Sequence, residues 1–200
     1  MQADPSPQRI ALAILVTALE LTGGIWIATA WHRYVLLDET PDAILPPFNG
    51  RRILVYFGYC VLLTLVALFA FAVLVGIIGV LTVFHAVILI LPASIAFMIV
   101  LVVCSYRLGI VLPASSVEKP VSLRRAWEAT RGSTGALLAL LLLSTLCALV
   151  LQLPLFPLNF LHLTLAVEIW GAIVGWVALM VGIAILTTLY GHYIEGRAIP

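Results

Sequence analysis

Between Arg52 and Arg107 the chain runs for 54 residues without an Asp, Glu, Lys or Arg. One helix of that length would measure about 80 Å at 1.5 Å per residue, so the block must fold back on itself. It cannot coat a soluble domain either, since about a quarter of the residues in such a domain are charged. Here the figure is 10%, with 64% hydrophobic residues and a mean hydropathy of +1.20. The bilayer is therefore the solvent for this chain. A net charge of +1 offers no broad basic surface for nucleic acid. Cys60, Cys104 and Cys147 are an odd number set in apolar runs, where cysteine behaves as a small hydrophobe and not as a disulfide framework.

A spanning helix needs about 20 apolar residues. Five runs of that length are expected, at about 10–31, 53–77, 82–105, 133–153 and 165–190. The fold class that follows is an all-α integral membrane protein, a bundle of five transmembrane helices in one domain covering residues 1–200. The glycines Gly76 and Gly79 mark the expected turn between the second and third spans. Pro92 then falls inside the third span and is expected to kink it. The proline-containing stretch from Leu153 to Leu163 reads as a loop at the membrane surface.

Orientation follows from the bias of Lys and Arg toward cytoplasmic loops. Nine basic residues fall on one side of the five spans, and Arg9 alone falls on the other. This predicts an N-terminus outside and a cytoplasmic C-terminus. The segment Met1–Arg9 has no basic leader and reads as an interhelical loop, so a sixth helix is expected upstream in the intact gene product.

Few polar residues are placed to carry chemistry. Glu20 is the only carboxylate deep within a span, and such groups face a partner or a water-filled cavity. It reads as a proton or cation site, as structural glue between helices, or as the partner of a helix outside this chain. Trp31, His32 and Arg33 form a cluster just after the first span, suited to a lipid headgroup or a partner and equally to simple interfacial anchoring. The four histidines are scattered by topology, and no motif points to a metal or cofactor. His192 and Glu195 share a helical face at most. Gly171, Gly175 and Gly182 give the fifth span a smooth face for close helix packing, within the protomer or between protomers.

The cytoplasmic segment 106–132 is the most organised region outside the spans. Residues Arg107–Ser116 are too few to cross the membrane and are expected to form a strand-like or re-entrant interfacial piece. Ser122 is placed to cap a helix. Leu123, Ala126, Trp127 and Thr130 recur on one face, with Arg124, Arg125, Glu128 and Arg131 on the other. This describes an interfacial amphipathic helix. With Arg107 it offers a basic site for anionic lipid or a protein partner.

The stretches Arg107–Ala114 and Ser122–Gly132 resemble a broad group of uncharacterised bacterial polytopic membrane proteins. They are similar as well to the membrane domain attached to some glycerophosphodiester phosphodiesterases. The resemblance covers about a quarter of the chain. It implies a six-helix bundle in the bacterial inner membrane and carries no catalytic residue onto this sequence. The leading expectation is a non-enzymatic accessory or scaffolding protein that binds membrane lipid and packs with a membrane partner or with a second copy. A proton-coupled or small-solute transporter using Glu20 is the alternative. A membrane-embedded lipid-modifying enzyme is the third.

Overall fold

The computed structural model describes residues 6–40 and 45–198. Among these residues every regular element is a helix, and five segments are long and apolar enough to cross a membrane. They are built from α1 (Pro7–Leu37), α2 (Gly50–Val83), α3 (Ile90–Gly109) with its continuation α4 (Val111–Ser116), α6 (Thr134–Gln152) followed by α7 (Leu155–Phe160), and α8 (Thr164–Tyr193). The short α5 (Leu123–Ala129) joins the third span to the fourth. This is a multi-pass α-helical membrane bundle.

Local chemistry explains the helix boundaries. Pro7 occupies the first turn of α1, where its missing N–H leaves no internal partner unsatisfied. The Asn49 side chain accepts from the Arg52 amide at 3.2 Å and caps α2. Ser122 accepts from the Arg125 amide at 3.2 Å and caps α5, as its sequence position predicts. Gly132 sits at φ +91 between α5 and α6, a conformation that favours glycine.

Four expectations are corrected. The hairpin between the second and third spans does not turn at Gly76 and Gly79. Helix α2 runs through both to Val83, and the chain reverses around His85, which adopts φ 55. A glycine in lipid need not break a helix, because no water competes for the backbone hydrogen bonds. The shifted turn moves Pro92 from mid-span into the first turn of α3, where proline is tolerated without a kink. The stretch after Pro154 is not an open loop but holds α7, and Trp170 Nε1 donates to the Leu151 carbonyl at 2.9 Å, binding α8 to the end of α6. Residues 107–116 are helical, and they are the most buried part of the molecule.

That burial shows where the core lies. Ile110, Val111, Ala114 and Ser116 are wholly enclosed, because α4 turns inward and packs against α1, α2 and α8. Leu36, Leu137, Leu189 and Tyr190 belong to the same cluster as Ile110, Val111 and Ala114. All of these residues belong to the end of the bundle that carries nine of the ten basic side chains. Toward the other end the spans open to their surroundings. No more than 6% of the residues in each span's most apolar stretch are buried, and residues 7–22 of α1 are exposed throughout.

Candidate functional site

At the basic end a histidine network ties the first, second and fifth spans together. His32 Nδ1 lies 2.8 Å from Thr187 Oγ1, and His32 Nε2 lies 3.3 Å from the Tyr56 hydroxyl. The single Thr187 hydroxyl hydrogen is directed to the Ile183 carbonyl at 2.7 Å. Thr187 must then accept from His32 Nδ1–H, which leaves Nε2 to accept from the Tyr56 O–H. One neutral tautomer satisfies every group, and none is left over for a substrate. The network is a structural tie.

Around it, arginines fasten loops to helices. Arg33 pairs with Glu39 through Nε at 2.6 Å and through Nη2, and its Nη1 donates to the Ser116 carbonyl at 3.0 Å. Arg52 Nε donates to Glu118 at 2.6 Å. The hydrogen bond from Arg33 holds the Glu39 carboxyl below the usual carboxylate range, and the Arg52 guanidinium does the same for Glu118. Arg197 Nη2 donates to the Leu36 carbonyl at 2.6 Å, placing a cation on the C-terminal carbonyls of α1 where the helix dipole favours it. Gly191 lies against this returning segment, where a Cβ would stand 3.4 Å from Arg197 Cδ, within ordinary contact distance.

Beside the network a cleft of about 760 Å³ opens between the last turns of α1 and the start of α2. Trp26, Trp31, Tyr34, Arg33, Glu39 and Arg52 line it, with Ile27, Ala30 and Ile53 among its apolar wall. Trp26 packs edge-on against Phe48 at 5.7 Å, and Trp31 lies 6.3 Å from Tyr34. The indole N–H groups of Trp26 and Trp31 are both shielded from water and have no acceptor among the described residues.

The sequence-derived candidates are distributed unevenly over this geometry. Trp31 and Arg33 do line the cleft. His32 is fully enclosed and is not a lipid or partner contact, because its ring is consumed by Thr187 and Tyr56. Arg107 is corrected likewise. It is 6% exposed, donates to Thr134 Oγ1 at 2.7 Å and stacks over Trp127 at 4.9 Å. Arg124 pairs with Glu128 at 2.8 Å one helical turn away, while Arg125 and Arg131 are exposed. Glu20 is exposed on the open part of α1 and meets no polar side chain among the described residues.

Gly171, Gly175 and Gly182 have nothing within 4 Å of a built Cβ, so close packing at these positions inside the protomer does not occur. The glycine that does permit close approach is Gly109, where a Cβ would fall 2.7 Å from Leu186 Cδ2. His192 bonds to the Arg197 carbonyl at 3.0 Å and Glu195 pairs with Arg197 and Lys119, so the two form no joint site. Among the described residues no cluster of His, Cys, Asp and Glu could hold a metal. Residues 1–5 of the expected N-terminal loop lie outside the described residues.

Sequence reasoning missed Tyr56, Thr187, Arg52, Trp26 and Arg197. Thr187 carried a signal, as half of a polar doublet with Thr188 inside an apolar span. Arg52 was visible as a charge, but its pairing across 66 positions to Glu118 was not.

The fold and this polar end define a multi-pass helical membrane protein with its packed core at one membrane surface. Compared with models of protein families, with curated proteins and with solved structures, the chain matches none.

Proposed function

We propose that this is a non-enzymatic accessory protein of the bacterial inner membrane, which presents a rigid basic platform to anionic lipid and leaves its spans open to partner helices. The observation that carries the reading is the concentration of buried residues at the basic end. There α4, the histidine network and the arginine ties hold all five spans, while the remaining membrane-facing surface stays apolar and exposed. The exposed side chains of Arg51, Arg125 and Arg131 make no ion pair among the described residues, and each basic group near an anionic surface contributes about 1 kcal/mol of attraction. The bias of basic residues supports an N-terminus outside and a cytoplasmic C-terminus. The resemblance around Arg107–Gly132 supports the bacterial assignment. Transport through Glu20 has less support, since that carboxylate stands on a stretch of α1 that meets no other span.

Two measurements test this reading. In nanodiscs of mixed lipid, the protein should enrich phosphatidylglycerol over phosphatidylcholine, and R125Q combined with R131Q should reduce the enrichment. Equal recovery of both lipids by the native protein overturns it. For orientation, cysteines introduced at Ser122 and Asn159 in a background without Cys60, Cys104 and Cys147 should react from the cytoplasmic and outer faces respectively. The reverse pattern overturns the assigned sidedness.

A further inference from the structure

We infer that the cleft between α1 and α2 holds the phosphodiester headgroup of one glycerophospholipid, a specific site within the lipid-binding reading above, on which it rests. The cleft is amphipathic, as a phospholipid requires. Ile27, Ala30 and Ile53 give its lining apolar surface, Trp26, Trp31 and Tyr34 add aromatic rings, and Arg33, Arg52 and Glu39 bring charge to the same lining. Tryptophan and tyrosine favour headgroup depth because their rings are apolar and their tips polar. A volume of about 760 Å³ lies within the range of about 300–1,000 Å³ common to sites for small molecules.

Donor bookkeeping selects the phosphate. Arg52 uses Nε for Glu118, and neither of its Nη groups has an acceptor among the described residues. A guanidinium edge of this kind matches two phosphate oxygens at once. The shielded indole N–H groups of Trp26 and Trp31, both on residues that line the cleft, lack acceptors among the described residues as well, and in this assignment they are neutral donors to the same group. Arg33 is already directed to Glu39 and the Ser116 carbonyl and serves to fix the cleft. Glu39, half exposed on its side chain, faces the cleft as an acceptor for headgroup hydroxyls. Phosphatidylglycerol offers both parts, one phosphodiester charge and a glycerol that donates.

The full chain, delipidated in mild detergent, would be titrated with phosphatidylglycerol, with diacylglycerol and with inorganic phosphate, and bound lipid counted by native mass spectrometry. One phosphatidylglycerol per chain is expected, with no comparable binding of diacylglycerol and no displacement by millimolar phosphate. R52K keeps the charge and its pairing to Glu118 but loses the guanidinium edge, and it should weaken binding by about tenfold. W26F and W31F keep the ring and remove the N–H, and each should weaken binding severalfold. An unchanged melting temperature shows that these variants are folded. Equal binding of diacylglycerol, displacement by free phosphate, or undiminished binding in R52K, W26F and W31F alike overturns the assignment. If these variants bind normally while R125Q with R131Q abolishes phosphatidylglycerol enrichment in nanodiscs, the cleft assignment fails and the broader reading stands. If native protein shows no enrichment either, both fail.

Discussion

The imidazole of His32 and the hydroxyl of Thr187 meet at 2.8 Å although 155 positions separate them in the chain. Each is enclosed, and each has one further partner. The bond therefore joins the first span to the last at a point where no water can replace it. Replacing His32 with Ala strands the Tyr56 hydroxyl and part of Thr187, and a buried polar group left without a partner costs about 1–3 kcal/mol. A clear loss of melting temperature in detergent is expected. Thr187→Val should be less than additive with it, with a coupling on the order of 1 kcal/mol. Full additivity in the double-mutant cycle would show that the two side chains do not interact.

Acid should loosen the basic end before it touches the spans. Glu39 and Glu118 have their carboxyls held below the usual range by Arg33 and Arg52. A group whose folded pKa is depressed stabilises the fold above its unfolded value, and that contribution fades as pH falls through the lower folded value. Unfolding followed from neutral pH downward should show stability flat above the ordinary carboxylate range and declining below it. The E39Q and E118Q double variant should have a shallower decline. Both groups are well exposed, so solvent screens the effect and it will be modest.

Arg107 separates charge from shape. Its guanidinium stacks over Trp127 at 4.9 Å and donates to Thr134 at 2.7 Å. Lysine keeps the charge but neither the planar stack nor the fork. R107K should lower stability by about 1–2 kcal/mol, the scale of a partly desolvated cation–π pair. Thermal melts of R107K beside W127A would read this, and a native-like R107K would show the stack to be without weight.

Two glycines in apolar helices should respond in opposite ways to a larger side chain. At Gly109 the space belongs to Leu186, whereas nothing approaches Gly171 within 4 Å. G109L should cost about 1–3 kcal/mol through overpacking. G171L should leave the isolated protomer unchanged. Melting temperatures of the two variants in detergent make the comparison, and equal losses would place a neighbour at Gly171.

Glu20→Gln should alter neither fold nor abundance. The carboxylate is exposed on α1 and makes no hydrogen bond among the described residues, so the amide removes no partner, and a neutral side chain is no costlier in hydrocarbon than a carboxylate. Expression and melting temperature decide it, and a marked loss of either would reveal a buried role.

The span pattern was legible because hydrophobic length is dictated by the bilayer, and all five runs reappear as helices. Ser122 was legible as a cap because capping is local. The turn at His85 was not, since glycines at 76 and 79 break helices only where water competes. His32 and Arg107 were misread for a related reason. Next to a membrane surface, a polar side chain headed for lipid and one headed for a buried partner look alike until the partner is known. Tyr56, Thr187, Trp127 and Thr134 come from other elements, and no local spacing pairs them with His32 or Arg107. Residues 107–116 show the same limit, being too short to span and, as it proved, meant for burial.

The His32 network also sets an order on biogenesis. His32 leaves the ribosome with the first span, but Thr187 arrives only with the last. Until α8 is inserted, the imidazole has Tyr56 alone, and a polar ring near hydrocarbon is an expensive group to leave unmatched. Four inserted spans are thus not four-fifths of a stable protein. The final helix closes a circuit opened by the first, so an interrupted chain carries its own sign of incompleteness at the membrane surface.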